Sequence, residues 1–164
     1  MTTDVLKRLL LRDLDALRRE LMAYEREADL WTCPPGIENS AGTLALHAAG
    51  NIQHFLGTHL AGTEYVRDRE REFTGRGIPR SELVQEIERA KDAARLALDA
   101  FSTARLDEPL PIDVGGVRPQ TGTFLMHLAA HLAYHLGQVD YHRRLVTGQG
   151  ATVGAQAVAE LMDG

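Results

Sequence analysis

The sequence predicts an all-α fold, a four-helix bundle with long crossover connections, closed by a short C-terminal helix. Two observations carry that prediction. Apolar residues recur at spacings of three and four in four separate segments, the pattern of amphipathic helices that each bury one face. The last three of these segments are joined by two connections of about 16–18 residues, where bundle helices are usually joined by about 2–8. The chain has 164 residues, 44% of them hydrophobic, which suits a single domain over residues 1–164 able to bury roughly two-thirds of its unfolded surface.

The first helix is expected over about 3–28, with Leu6, Leu10, Leu14, Leu17, Leu21, Tyr24 and Ala28 along its apolar stripe. Its leucines are interleaved with Asp, Lys and Arg, so this N-terminal stretch reads as a bundle helix and not a signal peptide. Pro34, Pro35 and Gly36 end it, and Asn39 or Ser40 caps the next. The second helix, about 40–61, turns Leu44, Ala48, Ile52, Phe55 and His59 inward and places His47, Asn51 and His54 along one edge of that face. Residues 63–79 are dense in charge and read as a long exposed connection, with RDRERE a solvated surface. The third helix, about 81–104, opens with a Ser81 cap and Glu82 in its first turn. Its apolar face is Leu83, Ile87, Ala90, Ala94, Ala97 and Phe101. Residues 105–120 form a second long connection whose alternating Leu110, Ile112 and Val114 suggest an extended stretch without an evident partner. The fourth helix runs from Thr121 to Gly148, and a last short helix is expected over about 152–162. Connections this long let the fourth helix lie beside the second, and those two helices hold all seven histidines.

At about 100° per residue, His131, His135, Gln138 and His142 fall on the stripe that also carries Phe124, Leu128 and Val139. Each unpartnered buried imidazole costs on the order of 1–3 kcal/mol, so a row of them calls for a common partner such as a metal ion. Histidines at i and i+4 set their rings about 6 Å apart on one face, and 127/131 and 131/135 are both such pairs. One ion cannot use both pairs, because His127 and His135 are separated by about 12 Å of helical rise. A third ligand has to come from another helix, and His47 is the best placed. Three imidazoles leave positions for water or substrate, as catalytic sites do. Neither HLAAH nor HLAYH has the glutamate of a zinc-protease helix after its first histidine, and no glutamate stands three before any histidine as in di-iron bundles. The expected centre is therefore mononuclear and histidine-rich, suited to a divalent ion, zinc, nickel, iron or copper, among which geometry alone does not choose.

The segment His131-Leu-Ala-Tyr-His135-Leu-Gly137-Gln138 resembles the HxxxHxGQ signature of DinB/YfiT-like proteins, and LALHAAGNIQHFLG around His47 resembles that family's second-helix histidine segment. The resemblance runs from the first helix to Gly148. It implies a crossover four-helix bundle, often a homodimer, that holds a divalent metal by three histidines, here His47, His131 and His135. Some relatives in the wider superfamily are transferases or isomerases that use low-molecular-weight thiols such as bacillithiol or mycothiol. His127, His54 and His142 are additions to the family pattern.

These readings converge on a metal-dependent enzyme, a transferase of the thiol S-transferase type or a hydrolase. With a Lewis-acidic ion bound, a thiol or water ionises at neutral pH and attacks a small-molecule electrophile held between the second and fourth helices. His127, His54 and Asn51 are the candidate proton relays, Gln138 is the candidate partner of a ligand ring, and His142 reads as structural. Trp31 and Cys33 are expected to cover one end of the bundle. Arg67 or Arg69 would meet an anionic group of a thiol only if residues 63–79 fold over the site. The alternative is a non-catalytic metal- or ligand-binding stress-response protein, which a fourth protein ligand such as His127 or His54 would favour. A net charge of −5 without a basic block, and no apolar run near the ~18 residues of a membrane span, argue against nucleic acid and membrane as partners. One cysteine excludes an intrachain disulfide and makes a cytoplasmic location the expectation.

Overall fold

The computed structural model describes residues 2–153 and 157–161. Helix α1 spans Thr3–Met22, and the Thr2 side chain caps it by accepting from the Val5 N–H. Leu6, Leu10, Leu14, Leu17 and Leu21 are fully buried, as their spacing requires. The helix stops before the expected Ala28, which is exposed, because Tyr24 turns away to hydrogen-bond His142 on another helix. A 3-10 turn over Glu27–Trp31 follows. Helix α2, Ala41–Ile52, is capped by Ser40, and all twelve of its residues are buried. Its helical path continues without a break as a π-helix over Gln53–Ala61 and closes at Gly62, whose φ of 72° suits a residue without a Cβ.

Residues 63–79 are not simply exposed. They contain a short helix, α3, over Arg69–Thr74, with Glu72 buried beneath it. Helix α4 spans Arg80–Ala100, four residues short of the expected end, and a 3-10 turn takes up Thr103–Arg105. The 105–120 connection finds its strand partner within itself. Val114 and Val117 exchange backbone hydrogen bonds across Gly115 and Gly116, and Leu110 bonds back to Pro119. The two glycines have φ of 60° and 84°, so this is the two-residue hairpin turn that needs positive φ at both centres. Helix α5, Thr121–Thr147, ends at Gly148 with a φ of 73°. The expected C-terminal helix is a single 3-10 turn, Val158–Leu161, and its expected residues 154–156 and 162 lie outside the described residues.

α1 packs against α4 and α5, and α2 packs against the same two helices from the other side, while α1 and α2 barely meet. The chain thus crosses the bundle diagonally between α1 and α2, and α2 comes to lie beside α5. The length of residues 63–79 is not spent on a crossover, since α2 and α4 are neighbours; it carries α3 onto α2. Buried leucines and alanines from all four long helices form one core. No helix among the described residues is long and apolar enough to cross a membrane.

Candidate metal centre

His47 sits in the middle of α2, only 6% exposed. Its Nδ1 lies 2.9 Å from Glu72 Oε2. The carboxylate can only accept, so Nδ1 carries the proton, and Nε2 keeps its lone pair because it faces an amide donor. Asn51, one turn on, donates its amide to that Nε2 at 3.0 Å. Glu72 in turn accepts from Arg67 through both oxygens, each at 2.7 Å. Burial pushes the Glu72 carboxyl up, but the hydrogen bonds from Arg67 and His47 outweigh it and hold the group below the ordinary glutamate range. The carboxylate reaches this depth because residue 50 is glycine. A Cβ there would overlap Glu72 Oε1 and crowd the Tyr65 hydroxyl.

On α5 the i and i+4 spacing brings His131 and His135 together, Nε2 to Nε2 at 3.1 Å, with ring planes perpendicular. His135 Nδ1 donates to Gln138 Oε1 at 2.7 Å, which leaves the His135 Nε2 lone pair facing His131. Two nitrogens that close share either a proton or a cation. Across the bundle the His47 ring centroid is 5.2 Å from that of His131 and 5.0 Å from that of His135. One nitrogen from each of the three rings lies within 4.8 Å of the others. Bonds from imidazole to a first-row ion are about 2.0–2.1 Å, so a small closing movement lets the three share one. Burial, with the neighbouring His135 and His47 adding to it, pushes His131 down to about 4, and burial also lowers His135 despite its bond to Gln138. Neutral, convergent imidazoles fit a divalent ion.

The remaining predicted residues occupy different places. Asn51 touches the His47 ring. His127 is exposed, its ring centroid 5.9 Å from that of His131. His54 does not join the three; it forms a perpendicular pair with His59, centroids 4.6 Å apart, and burial lowers its pKa. The π-helix explains this pairing, because its wider turn aligns residues five apart where an α-helix would splay them. His142 is structural: Nε2 donates to Thr32 O at 2.8 Å and Nδ1 accepts from the Tyr24 hydroxyl at 2.7 Å. Residues 63–79 do fold over the site, but Arg67 is committed to Glu72, and Arg69 lies over the Phe73 ring instead. Trp31 caps the end of α2 with its ring against Gly42, whereas Cys33 is exposed.

Sequence reasoning missed Glu72, hidden inside a run that reads as solvent-facing. The one signal was Gly50, a glycine in mid-helix that invites another group to approach closely.

The model of the DinB superfamily matches residues 6–139, a span that includes His47, His131 and His135. The chain therefore belongs to the DinB superfamily. No curated protein and no solved structure matches it.

Proposed function

We propose, on the premise of that superfamily membership, that the protein is a metal-dependent enzyme whose mononuclear centre is held by His47, His131 and His135, most naturally a transferase of the thiol S-transferase type. The observation that carries this reading is the convergence of three neutral imidazoles from α2 and α5, with Glu72 and Gln138 orienting two of them. A divalent ion, zinc or nickel before iron, supplies Lewis-acid chemistry that favours the ionised form of a thiol or water. The chain's own residues do the rest. Glu72 fixes the tautomer of His47, and Gln138 fixes that of His135. Were His47 Nε2 to hold the ion, the Asn51 amide that donates to it would be left to an acceptor on the substrate. His127, exposed beside His131, and His54, half-buried against His59, are the candidate groups for passing protons to and from solvent.

Among the described residues the cluster has three members, and neither His127 nor His54 is a fourth. A three-member donor set would leave positions on the ion for water or substrate, which supports turnover over the rival reading, a non-catalytic binding protein. The test begins with metal analysis of protein purified without a histidine tag. A screen then follows the transfer of bacillithiol, mycothiol and simpler thiols to an aryl halide, in which a C–S bond forms and halide leaves. Thiol transfer that His131→Ala abolishes supports the enzyme reading. Tight metal binding with no exchangeable position and no transfer supports the rival.

A further inference from the structure

Between α5 and the loop that precedes α2 lies a cavity of about 530 Å³. That volume falls in the range of roughly 300–1,000 Å³ that holds small organic ligands. Its walls are Ile37 and Leu44 on one side and Tyr141 and Leu145 on the other. Ile37, Tyr141 and Leu145 are 40%, 76% and 61% exposed, an apolar surface that water would otherwise cover. The cavity meets the candidate centre through Gln138, which lines it and also accepts from His135. Leu44 and Gln138 each stand one helical turn from a member of the histidine cluster. Its charge is as informative as its shape. Among the described lining residues there is no arginine or lysine, and Glu38 is the one carboxylate. His142, at its base, is bound on both ring nitrogens and is kept neutral by burial. Another cavity of similar size, about 540 Å³ over α1 and α4, is walled instead by ion-paired lysine and arginine.

We infer that this groove is the substrate cleft of the histidine centre and that it takes an uncharged, largely apolar molecule whose polar head passes Gln138 to reach the imidazoles. An anionic substrate is disfavoured there, because Glu38 repels it and Arg144, whose guanidinium lies over the Tyr141 ring, is already paired with Asp140. The identification of the head-group end rests on the metal reading proposed above; the groove and its charge preference do not.

Two matched fluorescent probes test the groove on metal-free protein: neutral N-phenyl-1-naphthylamine and its anionic relative 8-anilino-1-naphthalenesulfonate. The neutral probe is expected to bind about tenfold or more tighter than the sulfonate. Leu145→Asp and Ile37→Asp, both at exposed positions where folding is not at risk, each weaken the neutral probe about tenfold, and Glu38→Lys narrows the gap between the probes. Equal binding of the two probes, or neutral-probe binding that ignores both aspartates, overturns the proposal. So does conversion of a dimer to a monomer by Leu145→Asp, which would make the surface an interface between copies. Zinc-loaded protein then separates the two readings. Octanohydroxamate should bind about a hundredfold tighter than acetohydroxamate if the tail lies in the groove, and His131→Ala should weaken both. Equal affinities with His131 dependence overturn the groove alone. A tail preference without zinc or His131 dependence leaves the groove as a binding site and overturns both its role as this centre's cleft and the metal reading.

Discussion

Glu72 decides how His47 is presented. The residue is 4% exposed, its carboxylate held by Arg67 and accommodated by the missing Cβ of Gly50. Outer partners of this kind are worth about 10–100-fold in metal affinity, so Glu72→Gln is expected to weaken zinc binding by that factor while leaving helicity unchanged. Gly50→Ala should lower affinity by about tenfold, because the carboxylate must retreat from His47. Zinc titration against a chromophoric chelator checks both; unaltered affinity in Glu72→Gln would remove the carboxylate from the site. A second residue-scale device ties α1 to α5. Arg143 is fully buried and donates to Glu20, to Asp140 and to the Ala151 carbonyl. Arg143→Met strands the buried Glu20 carboxylate and should cost about 3–5 kcal/mol of stability. Adding Glu20→Leu should restore most of that, a recovery readable from urea-unfolding midpoints.

At the scale of elements, α2 and its π-helical continuation behave as two materials. Ala41–Ile52 is wholly buried and capped by Ser40, whereas in Gln53–Ala61 only Gln53, Leu56 and Gly57 are buried. Long π-helical runs are rare, and their hydrogen bonds are less well protected here. Amide exchange over 53–61 is therefore expected to run about tenfold or more faster than over 41–52; uniform protection across both would contradict the difference. The sequence could not announce this change of winding. His59 sits where α-helical periodicity would place an inward residue, yet the π turn sets it against His54 and leaves its Nε2 buried without a partner. α1, α2, α4 and α5 were legible because apolar spacing alone defines a helix face. The burial of Glu72 was not legible, because nothing local distinguishes one glutamate of RDRERE from the others; its place is set by Arg67, by Gly50 and by the path of the chain back over α2. The hairpin turn at Gly115-Gly116 was missed, because the strand alternation by itself showed no partner and the paired glycines were not weighed as a turn.

For the molecule as a whole, four histidines are held below their ordinary value of 6.5: His131 at about 4, and His54, His135 and His142 in the same direction, burial being the first cause in each. In the unfolded chain each takes up a proton near pH 6.5. Below that pH the unfolded state binds more protons than the native state, so stability is full above 6.5 and falls as pH drops toward the folded values. The lowered Glu72 and Glu86 carboxyls act with the same sign at lower pH. Metal-free protein should therefore lose stability between pH 7.5 and 5, His131 contributing about 1 kcal/mol once its partial exposure is allowed for. A His131→Asn variant should show a shallower dependence in urea midpoints, and an identical one would contradict the assignment.

The three-histidine centre that joins α2 to α5 is tested most directly by the metal content of tag-free protein, measured for the natural chain and for His47→Ala, His131→Ala and His135→Ala. About one equivalent of a divalent first-row metal per chain is expected, lost in each variant while far-ultraviolet circular dichroism stays helical. Full occupancy in any of the three folded variants, or none in the natural chain after zinc and nickel are supplied, would contradict it.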